Sequence, residues 1–145
     1  MGTRGFEGRW WPNGKLAGMR VLVVDDDPDA RELMDVLLTG CGAAVEVTGG
    51  ARAGFDAFLR ERPSLIVSDI DMPGEDGRWL MRQIRALPPT AGGDTPIVAV
   101  TGSATEPGDA TAFQAWLLKP QEPPEICRRL CQLLDAALIA GGPDA

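Results

Sequence analysis

Two apolar runs in this chain end in acidic residues: Val21-Leu22-Val23-Val24 leads into Asp25-Asp26-Asp27, and Leu65-Ile66-Val67-Ser68 leads into Asp69. Short continuous apolar runs read as strands buried on both faces, the signature of a parallel sheet. Parallel strands end at one sheet edge, so both runs deliver carboxylates to the edge where open α/β sheets bind ligands. Carboxylates crowded there repel one another unless a divalent cation or a proton offsets them. The pattern therefore predicts a Mg2+ site beside a chemically useful aspartate.

Two further runs supply other groups at strand ends. Pro96-Ile97-Val98-Ala99-Val100 ends in Thr101, and Ala115-Trp116-Leu117-Leu118 ends in Lys119-Pro120. Between the runs the spacing turns helical. Asp27-Pro28 reads as an N-cap and first helical position, with Ala30, Leu33, Met34, Leu37 and Leu38 as an apolar stripe that Gly40 ends. Residues 43–48 predict a second strand. Ala51, Phe55 and Phe58 mark the next helix, Leu80, Ile84 and Leu87 a third, and Ile126, Leu130, Leu133, Leu134 and Ala137 the last. Five strands alternating with helices predict a doubly wound parallel sheet covered on both faces and joined by right-handed crossovers.

The stretches VLVVDDDPDAR, PSLIVSDIDMPGEDG, PIVAVTG and FQAWLLKP, in that order, resemble the receiver domain of two-component response regulators over roughly residues 19–138. The resemblance implies a flavodoxin-like sheet of order 2-1-3-4-5. It makes Asp69 the phosphoacceptor and assigns Mg2+ to Asp26 directly, to Asp25 through water, to Asp69, and to the backbone carbonyl of Asp71. Thr101 and Lys119 would hold phosphoryl oxygens, the lysine aimed inward by a cis Lys119–Pro120 bond. Thr101 and Trp116 fall at the switch positions; tryptophan is bulkier than the usual aromatic there. Asp71, Gly102 and Ser103 occupy positions that tune phosphoryl lifetime and donor access. The resemblance further implies a phosphoryl donor that is a histidine kinase or a histidine phosphotransfer protein, and a protein partner for output. Self-phosphorylation from small donors and self-dephosphorylation would be the only catalysis.

Two departures from the family pattern stand out. Thr101 and Lys119 are 18 positions apart, where receivers need about four more, one helical turn. The segment Gly102-Ser103-Ala104-Thr105-Glu106-Pro107-Gly108-Asp109 is also poor in helix formers. The fourth helix is therefore expected to be short, displaced or irregular. Two other readings compete. One is a degenerate receiver that binds a partner without being phosphorylated. The other is a phosphatase, because Asp69-Ile70-Asp71 imitates the nucleophile and acid/base pair of haloacid-dehalogenase-like enzymes. In that family the motif follows the first strand, whereas here it ends the third.

Composition narrows the field. With 145 residues, 44% of them hydrophobic, the chain fits one globular domain. It contains no histidine, so any phosphoryl group must come from a partner. Cys41, Cys127 and Cys131 lack a paired Cys-x-x-Cys spacing and read as structural thiols. Net charge is −7, with a small basic excess confined to residues 1–20, so the body disfavours nucleic acid. Neither a membrane span nor a signal peptide is legible, making the cytoplasm the expected compartment. Residues 1–18, rich in glycine and carrying Trp10-Trp11, are expected to be a disordered leader or non-native remnant, and residues 139–145 a flexible tail. A second copy of the chain is a further candidate partner.

Overall fold

The computed structural model describes residues 16–101, 115–118, 128, 129 and 132, with the backbone alone at residues 101, 115, 116 and 118. Five parallel strands form one sheet: β1 (Arg20–Val24), β2 (Ala44–Thr48), β3 (Leu65–Asp69), β4 (Ile97–Thr101) and β5 (Ala115–Leu118). Their order is β2-β1-β3-β4-β5. β1 and β3 lie side by side in the register Val21↔Leu65 to Val24↔Ser68. This register places the Asp25 that follows β1 level with the Asp69 that ends β3.

Among the described residues the full helices are α1 (Pro28–Gly40), α2 (Ala51–Glu61) and α3 (Gly77–Arg85). The chain is helical again at Arg128, Arg129 and Gln132. Alternate residues of one strand feed two separate cores. Val21 and Val23 pack with Met34, Leu37 and Leu38 of α1. Leu22 and Val24 pack with Phe58 of α2 and Leu80 and Ile84 of α3. The sheet is thus covered on both faces, and β1 and β3 are buried throughout, apart from Arg20 at the start of β1. Among the described residues no helix is long and apolar enough to cross a membrane.

Local chemistry explains most boundaries. The Asp27 side chain accepts the Asp29 N–H at 3.0 Å and Pro28 opens α1, as expected of a cap followed by a residue that has no N–H to satisfy. α1 runs through Gly40, and the reversal comes at Gly42, whose φ of 99° suits glycine. α3 is shorter than its apolar spacing predicts. It stops at Arg85, and Leu87 follows as the chain enters a 3-10 turn at Pro89–Ala91, where proline cannot donate to a helical ladder. Arg85 braces this connection, donating to the carbonyls of Gly93 and Thr95 at 2.8 Å each.

One boundary needs correction. The leader was expected to extend to residue 18, but Leu16 is 1% exposed within the α1-side core. Its N–H donates to the Cys41 carbonyl at 3.0 Å, and its own carbonyl accepts the Met19 N–H at 2.9 Å. A lone leucine in a glycine-rich stretch has no periodicity to reveal burial. The shortened fourth helix, the tail and the Trp10-Trp11 pair lie outside the described residues. Leu16→Ala is expected to cost about 2–3 kcal/mol, as truncation of a buried leucine does; urea denaturation of the full chain would measure it.

Candidate functional site

β1 and β3 end side by side, and their terminal acids meet. Ligand oxygens of Asp25, Asp26 and Asp69 all lie within 4.8 Å of one another. Asp25 and Asp69 are 5% and 7% exposed, while Asp26 is exposed. Two carboxylates out of water and a third at the rim make an all-oxygen donor set that suits a hard divalent cation. The unlike burial gives the site one open side.

Each acid is placed by neighbouring backbone. The Asp25 N–H donates to the Thr48 carbonyl at 3.1 Å, continuing the β1–β2 ladder one residue past the strand. The Asp27 N–H donates to Asp25 Oδ1 at 3.0 Å, tightening the turn into α1. At β3, the Asp71 N–H reaches Asp69 Oδ1 at 3.3 Å. Buried Ser68 donates its hydroxyl to the Asp69 carbonyl at 2.8 Å. The start of α3 presses on the same backbone: a Cβ at Gly77 would stand 2.3 Å from the Asp69 carbonyl oxygen.

The loop after Asp69 has its own anchors. The Asp76 side chain caps α3 by accepting the Trp79 N–H at 3.0 Å. Arg52 of α2 donates Nε to Glu75 Oε1 at 3.0 Å and stacks 5.1 Å above the Trp79 ring. The hydrogen bond from Arg52 holds the Glu75 carboxyl below the usual glutamate range. A depressed carboxyl adds stability above its unfolded value and loses it as pH falls through the folded value. Water screens this exposed pair, so the anchor is a weak one.

Of the residues expected at the site, the structure brings Asp25, Asp26 and Asp69 together. Asp71 contributes its N–H to Asp69, and its side chain is exposed. Thr101 ends β4 and pairs with Leu118 of β5, so its backbone reaches the same sheet edge. Trp116 sits inside β5 opposite Ala99. The side chains of Thr101 and Trp116, together with Gly102, Ser103 and Lys119, lie outside the described residues. Cys41 is buried, in keeping with a structural thiol; Cys127 and Cys131 also lie outside. Sequence reasoning missed Gly77 as a contact point and Arg31, whose Nη1 donates to the Asp25 carbonyl at 2.8 Å. A glycine at the first helical position, where a side chain is ordinarily tolerated, was the available signal for the former.

Comparison with known proteins agrees with this geometry. An uncharacterized 14.6 kDa protein from the sodA1 3′ region of Leptolyngbya boryana is 40% identical over 134 residues, covering 90% of this chain and 98% of that protein. The response regulator MprA of Mycobacterium sp. strain KMS is 31% identical over 131 residues; the match takes in 88% of this chain and 55% of that regulator, so the chain spans about half its length. Among solved structures, the receiver domain of the sensor histidine kinase PA1611 from Pseudomonas aeruginosa, with a magnesium ion coordinated in its active site cleft, superposes with a TM-score of 0.69. It is 29% identical, covering 80% of this chain and 96% of that one. The model of the response regulator receiver domain matches residues 21–130. With that match over most of its length and the acidic edge its fold creates, the chain belongs to the response regulator receiver domain family.

Proposed function

We propose that this domain accepts a phosphoryl group on Asp69 from a phosphohistidine partner, with Mg2+ held by Asp25, Asp26 and Asp69, and thereby alters the contacts of an output protein. The meeting of three carboxylates from two strand ends within 4.8 Å carries this reading. A histidine kinase or histidine phosphotransfer protein is the donor class that membership in the receiver family supports, and the chain has no histidine of its own to serve in that role. When bound, Mg2+ would neutralise the carboxylates and the incoming phosphoryl oxygens so that nucleophile and phosphorus can approach.

The chain's own residues supply the rest. A carboxylate oxygen of Asp69 attacks phosphorus as the bond to the donor imidazole breaks, giving an acyl phosphate and a histidine that regains its proton from solvent. The Asp71 N–H, already directed at Asp69 Oδ1, holds the nucleophile's orientation. Water later cleaves the acyl phosphate, returning the Asp69 carboxylate and inorganic phosphate. Between these events the modified aspartate biases a conformational equilibrium. The cytoplasm, where such donors act, is the proposed compartment.

Intact-protein mass after incubation with Mg2+ and acetyl phosphate tests the proposal. One added phosphoryl group, absent when EDTA replaces Mg2+, is the expected result; no gain with either would leave a receiver fold that binds partners unmodified. Asp26→Asn separates the metal from the fold. Removing a direct ligand should weaken Mg2+ about a hundredfold, at least the effect of losing a residue that merely orients a ligand. The same change relieves like-charge repulsion and should raise metal-free stability by about 1 kcal/mol. Calorimetric titration and denaturation would read these opposite signs.

A further inference from the structure

Arg31 stands on α1 behind the acidic cluster. Its Nη1 donates to the carbonyl oxygen of Asp25 at 2.8 Å. The same nitrogen lies 3.0 Å from where a Cβ would stand on Gly49, so the guanidinium fills the crevice between the β1–α1 and β2–α2 connections. Gly49 leaves the room that this placement requires.

Asp25 is consequently fixed at three points. Its N–H is held by Thr48, its Oδ1 by the Asp27 N–H, and its carbonyl by Arg31. The carbonyl matters most for the next residue. It belongs to the planar peptide that includes the Asp26 nitrogen, so holding it fixes the plane from which Asp26 departs. Asp26 is exposed, and an exposed side chain has no packing to aim it; its direction depends on the backbone beneath.

Electrostatics alone would argue against an arginine here. A guanidinium beside the backbone of an acidic pair repels an incoming divalent cation. Its presence makes sense if orientation outweighs repulsion. We infer that Arg31 is a positioning residue for the divalent cation: by clamping the Asp25 carbonyl it presets the Asp25–Asp26 pair, and cation affinity falls when the clamp is removed even though positive charge is removed with it.

This inference rests on the Mg2+ reading above, and the two can fail separately. Calorimetric Mg2+ titration of the full chain would compare wild type with Arg31→Met, which keeps an apolar stem without donor or charge, and with Arg31→Lys, which keeps a charged donor. Amide exchange at Asp27, whose N–H is held by Asp25 Oδ1, would be followed in the metal-free proteins. The expected result is a Kd about tenfold higher for Arg31→Met, as for other residues that orient a metal ligand, faster Asp27 exchange, and intermediate values for Arg31→Lys. Binding by Arg31→Met as tight as wild type or tighter would overturn the inference and leave Arg31 as a charge only. Weaker binding with unchanged Asp27 exchange would also overturn it, because the clamp would not be the cause. No Mg2+ binding by wild type would overturn the metal reading and this inference together.

Discussion

Asp69→Asn is expected to abolish phosphoryl gain: after Mg2+ and acetyl phosphate, wild type should shift by one phosphoryl mass and the variant by none. The amide is nearly isosteric and its carbonyl oxygen can still accept the Asp71 N–H, which reaches Oδ1 at 3.3 Å in wild type. The amide nitrogen, however, is no nucleophile toward phosphorus, and the neutral side chain also weakens the Mg2+ site to which Asp69 contributes, so the nucleophile and part of the metal site are lost together. The test is sharp because other carboxylates stand close by. Asp25 and Asp26 lie within 4.8 Å of the acceptor. Asp25 lies one residue past the end of β1, and Asp26 stands at the rim. Asp69 is itself the last residue of β3, the middle strand of the sheet, between β1 and β4. A variant that still gained a phosphoryl group would move the acceptor to one of those neighbours and refute the assignment to Asp69.

Gly77→Ala should unsettle the site without touching a chemical group. The new Cβ would stand 2.3 Å from the Asp69 carbonyl oxygen, 2.9 Å from the Ile70 Cα and 3.1 Å from the Asp69 carbonyl carbon. All three are backbone atoms, so no rotamer change relieves the contact. Either α3 retreats, loosening Leu80, Met81 and Ile84 from their core, or the Asp69 peptide shifts. Helix propensity alone predicts the reverse, since alanine is favoured over glycine by about 1 kcal/mol within a helix. Overpacking against backbone wins, and a loss of about 3 kcal/mol is expected, with a fall in thermal midpoint on the order of 10 °C. Mg2+ affinity should fall as well, because the strained peptide carries a ligand. A variant as stable as wild type would show that α3 can move at little cost.

These residues also show how much the chain declares before it folds. The strand ends Val24-Asp25 and Ser68-Asp69, and the Asp27-Pro28 cap of α1, are local signals, and each appears where its residues predict. The cap is legible because a side chain and an N–H two residues apart settle it. Leu16 was misread as leader because its partners, Val21, Leu38 and Cys41 among them, come later in the chain. The early end of α3 was hidden because apolar spacing continues to Leu87 while the backbone already turns toward Pro89.

The sequence by itself determined an alternating α/β chain, the strand ends bearing acids, and the kind of ion such acids would hold. Those properties follow from side-chain periodicity and residue chemistry, both local quantities. Only the tertiary structure decided that Asp25, Asp26 and Asp69 share one small volume, that Gly77 must lack a side chain, and that Arg31 reaches the Asp25 carbonyl. Each of these depends on the distance between segments far apart in the chain. That distance is set by the β1–β3 register and by helices packing on opposite faces of the sheet, a collective outcome that no single stretch of residues encodes.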